Sequence, residues 1–195
     1  MDHSDADRFF RSMIEFNVPD PIGSLYVNSF KKQLRGSTSK DEKGQENERI
    51  VDIICYCVNP NHFHFILRQV SDRGIEKFMQ RIGTGYTMYF NNRYERSGAL
   101  FQGKFKAIHV DTNEYLLRLS SYVNLNFRVH RYGVQALPLI RSSWDEYLGK
   151  SNKQYCEKDV ILGQLRHPSE YADFSEDALI GILERKLMEK ALLME

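Results

Sequence analysis

A chain of 195 residues, 42% hydrophobic and 12% aromatic, has the apolar content for one well-buried domain with room for a small appendage. Its formal charge of +1 selects no partner in bulk, no apolar run is long enough for a bilayer span, and the N-terminus carries no signal-peptide pattern. Cys55, Cys57 and Cys156 make neither a C-x-x-C pair nor an even disulfide set, so a reducing, cytoplasmic setting is expected, with no membrane partner.

In chain order, "SDADRFFRSMIEF" (4–16) reads as a helix: Ser4 can cap it, Asp7 suits its first turn, and Phe9, Phe10, Met13 and Ile14 recur at helical spacing. "NVPDPIG" stops it. "RGSTSKDEKGQENE" (35–48) has no apolar residue and reads as a polar, flexible loop rather than a domain boundary, because too little chain precedes it to form a domain. "RIVDIICYCV" (49–58) and "HFHFILRQV" (62–70), joined by the turn "NPN", predict an antiparallel hairpin. Residues 71–94 place Ile75, Phe78, Met79 and Ile82 at helical spacing, with Gly83 and Gly85 weakening that helix locally. "ALFQGKFKAIHV" (99–110) predicts strand, tight turn and strand. "DTNEYLLRLSSYVNLNF" (111–127) is a helix capped by Asp111 or Thr112, and a last helix is expected over 175–193. From Arg68 to Arg118 nine basic residues stand against five acidic ones, whereas from Asp145 to the end seven stand against eleven. A basic middle with an acidic tail suits a central polyanion site, and equally suits ordinary solvated helix faces.

Residues two apart on a strand share a face, so His62 and His64 point one way while Phe63 and Phe65 point into the other side. Such a pair can grip a metal ion, or it can be two partly exposed histidines of an edge strand. A histidine-triad hydrolase would need a third alternating histidine where Ile66 stands, and the zinc-hydrolase motif H-E-x-x-H is absent. On the helix 111–127, Tyr122 and Asn126 lie four apart and hence on one face. An asparagine oxygen is a hard ligand suited to Mg²⁺ or Mn²⁺, and a tyrosine beside such an ion can attack a phosphodiester to form a covalent phosphotyrosine. The chain has 11 tyrosines, and simple core packing is the competing reading of Tyr122.

"YCVNPNHFHFIL" resembles the HUH signature (His, hydrophobic, His) of the single-tyrosine transposases of insertion sequences and of repeat-associated tyrosine transposases. The likeness continues in order through "SGALFQGKFKA", similar to the family's R-x-G-x-L-F-Q-G-[RK]-F-K-A hairpin, and "YVNLN", similar to its Y-[IV]-x-L-N catalytic helix. "SSWDEYLG" (142–149) resembles a short segment that often follows. The resemblance covers roughly residues 5–150 and is most specific over 49–127.

It implies an α+β fold of the HUH endonuclease, ferredoxin-like kind: an antiparallel sheet carrying the histidines, with helices packed on it. Residues 1–150 would form the transposase domain and 151–195 a C-terminal helical extension. Carried over residue by residue, the resemblance implies His62, His64 and Asn126 as ligands of Mg²⁺ or Mn²⁺ and Tyr122 as the nucleophile. Tyr115 is the rival, but its i+4 residue is Leu119, which cannot bind metal. Tyr86 and Tyr89 are read as stacking on bases or filling core. Arg93, Arg96, Gln102, Lys104 and Lys106 are candidates for DNA backbone contacts. The implied activity is cleavage and rejoining of single-stranded DNA with hairpins, through a 5′-phosphotyrosine. Members often dimerise, so a homodimer is a further expected partner. A replication-initiator or relaxase enzyme is disfavoured by the short chain and the late Y-x-x-x-N helix. The family generally opens on a strand like Y-H-x-x-N-R-G ahead of the D-x-x-R-F helix, whereas here Met1 falls almost directly before "DADRFF". The first family strand is therefore expected to be missing, through a start placed too late or through decay. The alternative function is a catalytically decayed DNA-binding remnant.

Overall fold

The computed structural model describes residues 1–35, 48–130 and 132–192. Residues 36–47 of the expected polar loop lie outside them. The elements are α1 (His3–Glu15), α2 (Leu25–Arg35), β1 (Val51–Val58), β2 (Phe63–Gln69), α3 (Gly74–Arg93), α4 (Asn113–Asn124), α5 (Asn126–Val129), β3 (Arg141–Ser142), α6 (Trp144–Tyr147), α7 (Asp159–Leu162) and α8 (Glu170–Leu192), with a 3₁₀ stretch at Val134–Leu139. The strands form one antiparallel sheet in the order β2-β1-β3, β1 meeting β3 at Cys57↔Ser142 and Val58↔Arg141. This is the α+β arrangement the sequence predicts. β1, rich in β-branched residues, is buried along its whole length, as a central strand between two others should be. Among the described residues no helix is long and apolar enough to cross a membrane.

The chain divides into two compact units, one of Met1–Ala6, Ile53–Leu67 and Ala107–Glu195, the other of Asp7–Asp52 and Arg68–Lys106. In the second, Phe9, Met13 and Phe16 of α1 and Phe78, Ile82 and Tyr86 of α3 are buried, with Phe9 edge-on to Tyr86 at 5.0 Å between ring centroids. Asn17 fastens the chain after α1 to the start of β1: its Oδ1 accepts from the Ile50 and Val51 N–H groups at 3.1 and 3.0 Å, and its Nδ2 donates to the Val51 carbonyl at 2.8 Å. A Cβ at Gly74 would stand 2.1 Å from the Ile50 carbonyl oxygen, so α3 can begin this close to β1 only on glycine.

In the first unit, α4 packs along α8. Leu125, Val129 and Leu179 form a buried cluster with Tyr122, Phe127, Trp144, Ile182 and Leu183 against it. Tyr171 of α8 is fully buried and its hydroxyl lies 2.8 Å from both Ser120 Oγ and Asn124 Nδ2 of α4, while Ser121 meets Ser175 at 2.9 Å. The segment 151–192, expected as an extension, thus supplies the helix that holds α4.

Four local expectations need correction. The cap of α1 is not Ser4: Asp2 and Asp5 exchange side-chain-to-backbone bonds at 2.7 and 3.0 Å, a reciprocal box one turn long. The segment 99–110 contains no strand; residues 102–109 are exposed, including Phe105 and Ile108, so its alternating pattern buries no face and stays irregular. The helix 111–127 is two helices, parted at Leu125 (φ −102°, ψ 12°). On β2 it is Ile66, on the histidine side, that is buried, whereas Phe63 and Phe65 are only half-buried and pack on one another at 4.9 Å.

Candidate active site

The turn between β1 and β2 is closed by the Asn59 N–H donating to the His62 carbonyl at 2.8 Å. It delivers His62 at the mouth of β2 and His64 two residues on, with ring centroids 5.2 Å apart, edge to face. From the other side comes Asn126, just beyond the break at Leu125 and fully buried. Its Oδ1 lies 3.0 Å from His62 Nε2. The Asn59 amide donates to that same Oδ1 at 2.8 Å and stands 3.0 Å from Nε2. On the far side of the ring, His62 Nδ1 is 2.8 Å from Asn61 Oδ1, which also receives the Tyr132 hydroxyl at 2.7 Å. A carboxamide oxygen only accepts, so the Asn61 contact calls for an Nδ1–H, and the tautomer of the ring decides whether Nε2 donates to Asn126 Oδ1 or turns a lone pair toward it. Tyr122, the last tyrosine of α4, is half-buried, with its ring 5.6 Å from that of His64.

His62 Nε2 and Asn126 Oδ1 thus converge to hydrogen-bond distance, while Asn126 Nδ2 is buried without a partner among the described residues. Burial, reinforced by His62 and His130, lowers the His64 imidazole to about 4, so at neutral pH it is an uncharged ring able to donate a lone pair. Among the described residues no three of His, Cys, Asp and Glu gather into a metal-holding group, so a cation here would take two imidazoles and the hard Asn126 oxygen. That donor set suits Mn²⁺ or Mg²⁺ and leaves coordination positions open. The four residues expected to act together, His62, His64, Tyr122 and Asn126, all lie in the first unit.

A comparison with known families matches residues 27–126 to the family described as Transposase IS200 like. The chain belongs to the IS200-like transposase family. The match covers just over half of the 195 residues and includes all four of those side chains. No curated protein and no solved structure matches the chain.

The transposase also gathers residues that the sequence pattern did not single out. His130, four residues after Asn126, brings its ring within 4.5 Å of His62, and Tyr132 stacks on His130 at 5.9 Å. The i+4 spacing from Asn126 was the available signal for His130. Asn59 and Asn61 were hidden because "NPN" reads equally well as turn chemistry.

The proposed DNA contacts lie in the second unit. Arg93 donates to the Tyr89 hydroxyl at 2.7 Å and lies over Tyr94, and Arg96 lies over Phe90 at 5.6 Å. Gln102, Lys104 and Lys106 are exposed on the irregular segment, which the Asn91 side chain ties down through the Gly98 carbonyl at 2.8 Å. Tyr86 is a core residue, only 4% exposed, which leaves it no free face for a base. Tyr89 is half-buried, with Arg8 over its ring at 5.0 Å. Tyr115 is exposed in the first turn of α4, where its N–H is capped by Thr112 at 3.2 Å.

Proposed function

We propose that this transposase cuts and rejoins single-stranded DNA through a covalent tyrosine intermediate. Tyr122 is the nucleophile, and His62, His64 and Asn126 hold a divalent Mg²⁺ or Mn²⁺. The observation that carries the proposal is the convergence of His62 Nε2 and Asn126 Oδ1 at 3.0 Å, beside the ring pair of His64 and Tyr122. When bound, the cation supplies polarisation of the scissile phosphate and offsets its developing negative charge. The Tyr122 phenolic oxygen attacks phosphorus, its proton passing to water. The bond from phosphorus to the 3′-oxygen breaks, and that oxygen takes up a proton to leave as a 3′-hydroxyl. One phosphodiester becomes another, so no nucleotide cofactor is needed. Attack by a second 3′-hydroxyl reverses the step and joins new ends.

The substrate in this reading is a hairpin or palindromic end of the element with flanking single strand. Arg93, Arg96, Gln102, Lys104 and Lys106 provide backbone phosphate contacts, which position DNA without reading its sequence. A homodimer would bring two such sites to one pair of ends.

The test is incubation with end-labelled, hairpin-containing single-stranded DNA and Mn²⁺ or Mg²⁺, followed by denaturing electrophoresis. A covalent protein–DNA adduct is expected, lost with Tyr122→Phe and with chelator and kept with Tyr115→Phe. An adduct that survives Tyr122→Phe refutes the choice of nucleophile. DNA binding with no adduct in the wild type favours the decayed remnant.

A further inference from the structure

Asn61 and Tyr132 stand outside the set of metal ligands and nucleophile. Asn61 is exposed and belongs to the turn, and Tyr132 lies 71 residues on, yet both hydrogen-bond at one point on the far side of His62. The Asn61 oxygen has two lone pairs. One faces His62 Nδ1 at 2.8 Å and the other receives the Tyr132 hydroxyl at 2.7 Å. Tyr132 Oη is itself 3.3 Å from Nδ1, so the three groups close a small ring of hydrogen bonds. A free imidazole ordinarily exchanges its hydrogen between the two nitrogens, and only the nitrogen left bare can serve a metal. The partner on the opposite nitrogen decides which one that is.

We propose that Asn61, held by Tyr132, is a positioning residue: it keeps His62 as the Nδ1–H tautomer with its ring turned so that the Nε2 lone pair faces Asn126 Oδ1. This deepens the metal reading above and rests on it. On the inner side of the ring the Asn59 amide, 2.8 Å from Asn126 Oδ1 and 3.0 Å from Nε2, agrees with the same tautomer. A donor on Asn59 needs a bare Nε2. The exposure of Asn61 has a further consequence, since its side chain adds little to core packing. Its loss should therefore register at His62 and not in the stability of the fold.

The experiment uses the full chain, stripped of metal, with two readouts. Long-range ¹⁵N–¹H correlation spectra of the metal-free protein give the His62 tautomer. Titration with Mn²⁺ alone, followed by the electron paramagnetic resonance of the free ion, gives the affinity. The wild type is expected as the Nδ1–H tautomer. Asn61→Ala should mix the tautomers and weaken Mn²⁺ binding by roughly 10–100-fold. Asn61→Asp keeps an acceptor at the same place and should restore both the tautomer and the affinity. Tyr132→Phe should lose less than Asn61→Ala. An Nε2–H tautomer in the wild type overturns the inference, whatever the metal does. So does Asn61→Ala binding Mn²⁺ like the wild type while His62→Ala abolishes binding, and so does Asn61→Asp being as weak as Asn61→Ala. Wild type that takes up no Mn²⁺, or binding unchanged by His62→Ala, overturns the metal reading itself and with it the purpose assigned to Asn61.

Discussion

The hydroxyl of Tyr171 offers the clearest energetic test of how α4 is held. Ser120 Oγ donates to the Leu117 carbonyl at 2.7 Å, so its lone pair receives the Tyr171 hydroxyl, and the Tyr171 oxygen in turn accepts from Asn124 Nδ2. The other end of the Asn124 amide is filled by the Ser143 hydroxyl. All of this is sealed from water: Tyr171, Ser120 and Asn124 are 0% exposed, and burial pushes the Tyr171 phenol up to about 12, so it remains a neutral donor at working pH. Tyr171→Phe removes one oxygen. Ser120 keeps its bond to Leu117, but Asn124 is left with a buried N–H and no acceptor, which costs roughly 1–3 kcal/mol. Taking about 2 kcal/mol for a chain of this size, Tm should fall by roughly 4–8 °C. Differential scanning calorimetry reads this directly. Tyr26→Phe, at a side chain 78% exposed, is the control and should shift nothing. A Tyr171→Phe melt within about 1 °C of wild type would show that the orphaned amide finds another partner, and the argument from buried polar accounting would fail.

Two further outcomes follow from packing and burial. A Cβ at Gly83 meets nothing within 4 Å, whereas one at Gly85 would stand 2.7 and 2.9 Å from the Phe16 ring. Gly83→Ala should therefore stabilise by roughly 0.5–1 kcal/mol through helix propensity. Gly85→Ala should instead lose about 1 kcal/mol, because overpacking of roughly 1–3 kcal/mol exceeds the same gain. Urea midpoints moving in the same direction would refute the contrast. Burial raises the thiols of Cys55 and Cys156 as well as that of Cys57, which reaches about 12. All three are buried and unpaired, so a disulfide reagent at about pH 8 should label the native protein only as fast as it opens, and all three thiols at once in denaturant. Rapid labelling of any thiol in the native state contradicts this.

The legible parts of the fold were those whose sequence pattern and burial agree. β1 is apolar and β-branched and is buried along its length. α3 carries its buried residues Phe78, Ile82 and Tyr86 at spacing four, and neither glycine interrupts it. α2 leaves only a weak stripe in the sequence, because of its first three residues only Leu25 is buried while Tyr26 and Val27 are exposed. The start of α8 at Glu170 was read a turn late, although Pro168 and Glu170 are start signals. Two misreadings have a tertiary cause. The segment 99–110 alternates like a strand, but alternation forms a strand where one face is buried, and residues 102–109 are all exposed. The parting of α4 from α5 falls at Leu125, which is neither glycine nor proline. Nothing local breaks the helix there, and Leu125 instead sits fully buried against Val129 and Leu179.

That same break explains how the candidate site was partly legible and for an incomplete reason. The period of a strand puts His62 and His64 on one face, and they do pack ring against ring. The spacing from Tyr122 to Asn126 predicts one helical face, yet the two residues belong to separate helices. At the parting Leu125 turns into the α8 cluster, and Asn126, the next residue, brings its oxygen to His62. A continuous helix would tie the direction of residue 126 to that of residue 122. The break lets the proposed ligand and the proposed nucleophile approach the histidines from independent positions, with Tyr122 against His64 and Asn126 against His62. What no pattern could reveal is the hydrogen count. Asparagine is common in turns for its own reasons, so Asn59 and Asn61 read as loop chemistry, and only their distances from the two nitrogens of His62 support the proposed tautomer. The proposed metal site rests on the convergence of His62 Nε2 with the Asn126 amide oxygen more than on the presence of two histidines.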